Sequence, residues 1–331
     1  MSGRSVDGVL VQWGERLFYP ANRIVRRPSP ARLSGGLPQR AADVRARIRA
    51  TVIRRARQVM VKVTGGGRGM AAIAAHFRYI SKSGRLPFED DRGVVREGKE
   101  ALRDLVEQWQ YGGSYIGETS QRREAFNIML SMPSGVDALA VQRAAREFAQ
   151  AELADHRWVM VLHDHQANPH VHLSVRAEGR HGQRLNPRKA DLQRWRETFA
   201  ESLRGWGIDA EATRQATRGQ LRNDEPLWRL KAAEGGRLRS TREKTKSGPA
   251  IERSRKEAIV AWAHVARGLS SSEDAADRNL AEQIDRYVGS TPFALEYARR
   301  LEKQRERSPL TFEREPSRPA KPVEQAPEVR R

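Results

Sequence analysis

Residues 158–177 read WVMVLHDHQANPHVHLSVRA, and their spacing decides the fold. Trp158 to His163 is apolar at every position but the last, the pattern of a strand buried on both faces. After a Pro-containing break, Pro169 to Ala177 alternates Val171, Leu173 and Val175 against His170, His172, Ser174 and Arg176, so one face is apolar and the other polar. The two segments are close enough to pair as a hairpin. His170 and His172 then point the same way with Cα atoms about 6.6 Å apart, and a hairpin brings His163 beside them from the neighbouring strand. Three imidazoles on one surface can converge on one cation and leave its other positions open, which is the arrangement of a catalytic rather than a structural metal site.

The same reading extends upstream. Val59, Val61 and Val63 alternate with Met60, Lys62 and Thr64, and Ala125 to Ser131 places Phe126, Ile128 and Leu130 opposite Asn127, Met129 and Ser131. Helices are expected near 68–82, with Met70, Ile73, Phe77 and Ile80 as one stripe, near 96–110, near 136–154, and near 187–206, with Leu192, Trp195, Phe199 and Leu203. The order βαβαββα from 59 to 206 predicts an α+β fold, a mostly antiparallel sheet flanked by helices. Four segments are expected: a basic N-terminal arm at 1–57, the sheet domain at 58–215, a helical region at 216–307 with helices near 251–268 and 277–304, and a disordered Pro-, Arg- and Glu-rich tail at 308–331.

The 331 residues carry 61 Lys+Arg against 41 Asp+Glu, a formal net charge of +20. The basic residues are mostly Arg, whose planar fork matches phosphate oxygens, so nucleic acid is the expected partner. Cysteine is absent, which excludes disulfides, thiolate nucleophiles and Cys-type zinc sites. No stretch is long and apolar enough for a membrane span, and acids interrupt the N-terminus, so the expectation is a cytoplasmic protein without membrane insertion. The run Gly65-Gly66-Gly67-Arg68-Gly69 lacks a P-loop Lys-Ser/Thr pair and reads first as a tight turn. Arg176, Arg180, Arg184, Arg188 and Lys189 follow the histidine strand and are placed to track a phosphate backbone.

Three stretches together resemble the relaxases, or mobilisation nucleases, of conjugative and mobilisable plasmids, a branch of the HUH endonucleases. They are VMVKVTGGGRGMAAIAAHFRYISKSG at 59–84, AFNIMLSMPSG at 125–135, and PHVHL at 169–173, preceded by His163 and followed by RAEGRHGQRLNPRKADLQRWRETFAESLRGWGI. The resemblance covers about 59–210, with the motifs in the family's order. It implies that Tyr79 is the catalytic nucleophile, that Ser131 helps position DNA, and that His163, His170 and His172 hold a divalent ion, Mg2+ or Mn2+. The family has Asp two residues after the first His; here that position is His165, with Asp164 beside it, and either is the candidate for a supporting role.

On a helical wheel Tyr79 lies away from the Met70/Ile73/Phe77/Ile80 stripe, so its phenol faces solvent or the polar sheet face. A tyrosine hydroxyl is a weak nucleophile near neutral pH, and attack on a phosphodiester requires help with the developing charge. The implied activity is site- and strand-specific nicking at an origin of transfer, through a 5′-phosphotyrosyl intermediate that lets the strand be rejoined. The implied partners are single-stranded origin-of-transfer DNA, relaxosome accessory proteins and a type IV secretion coupling protein. A rolling-circle replication initiator, in which the His motif usually precedes the tyrosine, and a non-catalytic DNA-binding accessory protein are the alternatives.

Overall fold

The computed structural model describes residues 5–19, 35–221, 232–233, 235–237 and 248–307, with no description of the side chains of 304–307. In chain order the elements are α1 (Val6–Phe18), α2 (Leu37–Val52), β1 (Arg57–Gln58), β2 (Met60–Gly65), α3 (Met70–Ile80), β3 (Phe88–Asp90), β4 (Val95–Arg96), α4 (Lys99–Tyr111), β5 (Ala125–Ser131), α5 (Ala138–Glu152), β6 (Trp158–His163), β7 (His170–Arg176), α6 (Lys189–Gly205), β8 (Ala210–Glu211), α7 (Pro249–Ser270), α8 (Ala275–Gly289) and α9 (Pro292–Arg307). The fold is α+β, as expected. Its main sheet runs β2-β5-β7-β6-β3-β4, antiparallel throughout.

The two sheet faces are covered differently. Ile128 and Leu130 of β5, Trp158 and Met160 of β6, and Val171, Leu173 and Val175 of β7 bury one face against α5 and α6, with Phe148, Trp195 and Phe199 filling the space between. The opposite face, which bears the histidines, is apolar only where Ala125, Val159 and Val161 meet α3 and α4 through Met70, Ile73, Phe77 and Trp109. Phe77 meets Trp109 edge to face at 4.9 Å. One end of this face is therefore sealed by helices, and the other keeps its polar side chains.

Strands β3 and β4 were not expected. They are three and two residues long, too short for an alternation to register, and β3 carries the acids Glu89 and Asp90. Ion pairs compensate the buried acids: Glu89 takes the guanidinium of Arg146 on α5, and Asp90 takes those of Arg92 and Arg96. The single helix expected near 277–304 is two, broken where Thr291 precedes Pro292, a proline that cannot continue the helical hydrogen-bond ladder.

Residues 1–57, read as a basic arm, instead contribute two helices to a packed lobe. Leu10, Leu17 and Phe18 of α1 and Val44 and Ile48 of α2 share one core with Trp262, Val265 and Leu269 of α7 and Ile284 of α8. Arginines dominate the exposed side of α2, which hid its apolar stripe from a composition-based reading. Helix α1 approaches α2 closely at Gly14, where a Cβ would lie 2.5 Å from Val44 Cγ1. The lobe is tied to the sheet domain through β1, which pairs in parallel with β8, and through bonds of Thr217 Oγ1–H to Leu17 O and of Trp262 Nε1–H to Thr217 O, both 2.8 Å. Residues 20–34, part of the expected arm, and the expected disordered tail at 308–331 lie outside the described residues. Among the described residues, no helix is long and apolar enough to cross a membrane.

The lobe turns on one ion pair. Arg45 donates through Nε and Nη2 to both oxygens of the buried Asp277, at 2.9 and 2.8 Å, and through Nη1 to Asp7 at 2.8 Å. These bonds hold the Asp277 carboxyl below the usual aspartate range. Arg45→Met is expected to lower stability by about 3 kcal/mol in urea unfolding, because it leaves a buried carboxylate unpaired. A depressed carboxyl stabilises the fold above its unfolded-state value, so the wild-type contribution is fully present above about pH 4 and declines as pH falls further. The difference between wild type and Arg45→Met should shrink over the same range.

Candidate active site

The β6–β7 register sets His163 opposite His170 and Val161 opposite His172, so the three imidazoles share one face at the end of the hairpin. Their ring centroids lie 4.6 to 5.0 Å apart, and each offers a ring nitrogen within 4.8 Å of the others. Two backbone carbonyls orient two of the rings. His163 Nε2 lies 2.7 Å from Ile80 O and His170 Nδ1 lies 2.9 Å from Asn168 O. A nitrogen facing a carbonyl carries the proton, which leaves Nδ1 of His163 and Nε2 of His170 with free lone pairs. His172 Nδ1 is buried with no hydrogen-bond partner.

Burial pushes the pKa of all three imidazoles down, His172 to about 3, with the neighbouring histidines adding to the effect. They are therefore neutral at pH 7, the form that ligates metal. Neutral convergent nitrogens, fixed tautomers and one orphaned ring nitrogen fit a divalent cation held on three protein ligands, with positions left for oxygen ligands.

Helix α3 brings Tyr79 to this cluster. Its N-terminal turn is locked, with Gly69 at φ 99° and the Met70 and Ala71 N–H groups donating to Gly117 O and Glu118 O. The glycine run is thus a tight turn whose first helical donors are already occupied by backbone. At the other end, the His163 bond to Ile80 O anchors the last turn. Tyr79 is 69% exposed, and its ring lies 6.2 Å from that of His172. His76, three residues earlier on the same helix, lies 6.1 Å from Tyr79 and 6.4 Å from His172, ring to ring. Burial lowers its pKa to about 4, and its Nε2 has no partner. The sequence reading missed His76, although the i, i+3 spacing to Tyr79 was the available signal.

The remaining candidates divide. Ser131 is buried directly opposite His170 in the β5–β7 register, with Oγ 3.4 Å from both Met132 O and Pro169 O. Asp164 and His165 are exposed at the hairpin turn, and the His165 ring lies 5.1 Å from that of His163. Arg188 and Lys189 are exposed at the start of α6, where the Arg188 N–H donates to Asp191.

Arg176 is a correction. It was placed among DNA-contacting residues, but it is buried, and it donates to Trp109 O, Gly112 O and Ser114 O, holding the 109–114 turn against the sheet. A guanidinium spent on carbonyls is not available to a phosphate. Arg180 and Arg184 are likewise paired, with Asp91 and with Glu124 and Glu178.

Residues 92–208 match the family described as Relaxase: MobA/VirD2-like, nuclease domain. This segment, about a third of the chain, is similar to a relaxase nuclease domain. The match spans Ser131 and the three histidines, and Tyr79 lies before it. Two curated proteins similar to this chain are the T-DNA border endonuclease VirD2 of Rhizobium radiobacter and the T-DNA border endonuclease VirD2 of Agrobacterium fabrum strain C58. Each is 24% identical over 182 residues, covering 49% of this chain and 43% and 41% of the relative, respectively. The chain spans about two fifths of the length of these relatives.

Two outcomes follow from this geometry. Calorimetric titration with Mn2+ should give one site per chain in wild type, and His172→Ala should weaken it by more than about 100-fold, beyond the effect of losing an outer-shell partner. Arg176→Ala should lower stability by about 2 kcal/mol or more, through the carbonyls left unsatisfied, while leaving the salt dependence of DNA binding unchanged.

Proposed function

We propose that this protein is a metal-dependent relaxase that nicks one DNA strand at an origin of transfer and keeps the 5′ end on Tyr79. The observation that carries the reading is the placement of an exposed phenol beside three neutral, convergent imidazoles, on a helix hydrogen-bonded to one of them. The relaxase match and the similarity to proteins named border endonucleases support it.

In this reading His163, His170 and His172 would hold a divalent ion, Mg2+ or Mn2+, which when bound would supply Lewis acidity at the scissile phosphate. The Tyr79 Oη attacks phosphorus, the bond from phosphorus to O3′ breaks, and the phenolic proton ends on the departing 3′ hydroxyl. The products are a 5′-phosphotyrosyl strand and a free 3′-OH, so one phosphodiester is exchanged for another and the reverse reaction reseals the strand. Exposure of Tyr79 lets a DNA phosphate reach it without opening the fold. Ser131, opposite His170, is proposed to help position the strand, and Asp164 or His165 to support His163, the His165 ring lying 5.1 Å from it. Arg188 and Lys189 are proposed as phosphate contacts. The reaction belongs in the cytoplasm, with relaxosome accessory proteins and a type IV secretion coupling protein as partners.

The test is covalent trapping on labelled single-stranded oligonucleotides that tile the DNA upstream of the gene, with Mg2+ or Mn2+, resolved on a denaturing gel. A shifted band that disappears in Tyr79→Phe, in His170→Ala and in EDTA is the expected result. An adduct that survives Tyr79→Phe would assign the nucleophile elsewhere, and DNA and metal binding without any adduct would favour an accessory protein.

A further inference from the structure

A histidine that ligates a metal through one ring nitrogen donates the N–H of the other to an outer partner, which fixes its tautomer and its orientation. Two of the three clustered histidines have such a partner, His163 in Ile80 O and His170 in Asn168 O. His172 has none. Among the described residues it makes no hydrogen bond, and its Nδ1 is closed off from solvent as well.

The surroundings of His172 leave one group able to serve. Directly across the sheet stand Met129 on β5 and Val161 on β6, whose side chains carry no nitrogen or oxygen. His163 and His170 would share the cation with it, and Tyr79, whose ring is also in contact, is exposed and assigned to the phosphate. The remaining ring is that of His76, edge to face with His172 at 6.4 Å and 78°. Its Nε2 is buried without a partner. Orphaned buried nitrogens call for an explanation, and here two of them sit on touching rings.

The chemistry of the pair is complementary. Burial keeps His76 neutral at pH 7, with one N–H and one lone pair. The side chain is only half-buried, so water can take Nδ1–H, which puts the lone pair on the enclosed Nε2. A linear N–H···N bond sets two imidazole centroids about 5.3 Å apart, so an approach of about 1 Å, within reach of the two side chains' torsions, closes it. His76 and Ile80 lie one turn apart on α3, and Tyr79 lies between them.

We infer that His76 is a positioning residue whose Nε2 accepts the ring N–H of His172, so that α3 is tied to two of the three imidazoles, one on each side of Tyr79. Resting on the metal-dependent relaxase reading, this role deepens it by linking the cation's ligands to the placement of the nucleophile. Each of the two rings, with one nitrogen given to the cation, grips the helix through the other.

Two variants separate this bond from packing. His76→Phe keeps a ring and loses the acceptor, whereas His76→Gln keeps an acceptor near the Nε2 position. In calorimetric titration of the full chain with Mn2+, without DNA, His76→Phe should weaken binding by about 10- to 100-fold, and His76→Gln should recover most of that loss. In urea unfolding without metal, His76→Phe should be at least as stable as wild type, because it removes a buried nitrogen that has no partner. Wild-type Mn2+ affinity in His76→Phe, or an equal loss in both variants, overturns the role. A loss of affinity matched by a loss of stability assigns His76 to packing instead.

The tie to the nucleophile is read in the trapping reaction. At saturating Mn2+, His76→Phe should form the Tyr79 adduct more slowly than wild type and His76→Gln should restore the rate; a wild-type rate in His76→Phe overturns the link to Tyr79. The relaxase reading fails separately. The expected Mn2+ pattern without an adduct on any oligonucleotide would keep His76 as the partner of His172 and reject the relaxase. An adduct that requires Tyr79, with Mn2+ affinity indifferent to His76→Phe, would do the reverse.

Discussion

One hydrogen bond organises the site: the 2.7 Å contact between His163 Nε2 and Ile80 O. It satisfies a carbonyl in the last turn of α3, where helical acceptors lose their internal partners. It also fixes the tautomer of His163, leaving Nδ1 for the other histidines, and fastens the turn that bears Tyr79 to the end of the interior strand β6. Without it the helix would be held to the sheet only by the apolar contacts of Met70, Ile73, Phe77 and Ile80, which set its distance but not the position of its end. Reacting groups must be held to within fractions of an ångström, and a directional bond between backbone and ligand supplies what packing alone does not.

The histidine face could be read from the chain because a strand repeats every two residues and three of the four long strands alternate cleanly. The stripe of α3 was equally plain and placed Tyr79 off the core. Strand β4 was hidden by its two-residue length, and β3 by buried acids whose partners, Arg146 for Glu89 and Arg92 and Arg96 for Asp90, only the fold brings to them. Arg176 illustrates the same limit. Its alternation with Val175 placed it correctly on the polar face, but whether that face is wet at its end depends on the 109–114 turn folding over it. The apolar positions of α1 and α2 were present in the sequence, yet their partners lie more than 200 residues downstream, in α7 and α8.

Net charge was a coarse guide for a related reason. Many of the arginines are internal joinery and leave the net excess to others: Arg45 binds Asp277, Arg47 binds Glu211, Arg54 binds Asp209, and Arg184 binds Glu124 and Glu178. Bidentate guanidiniums suit such junctions, because each can satisfy two acceptors in a fixed plane. What the surface offers to a polyanion is the remainder, and its position matters more than its sum.

The helical lobe joins segments from both ends of the described chain, and this constrains the order of synthesis. The main sheet and the helices on its faces are built from 60–205, and these parts are all available before α7 is made. Helices α1 and α2 are made before α7 and α8, and complete the burial of their apolar stripes when those helices follow. At 5–20 residues per second, the interval is on the order of ten to fifty seconds. During that time α1 and α2 have only each other to pack on, and the faces they bury against α7 and α8 stay uncovered, beside arginines whose charge disfavours association of like chains. The basic character of this segment thus protects a nascent chain that must fold from the middle outward.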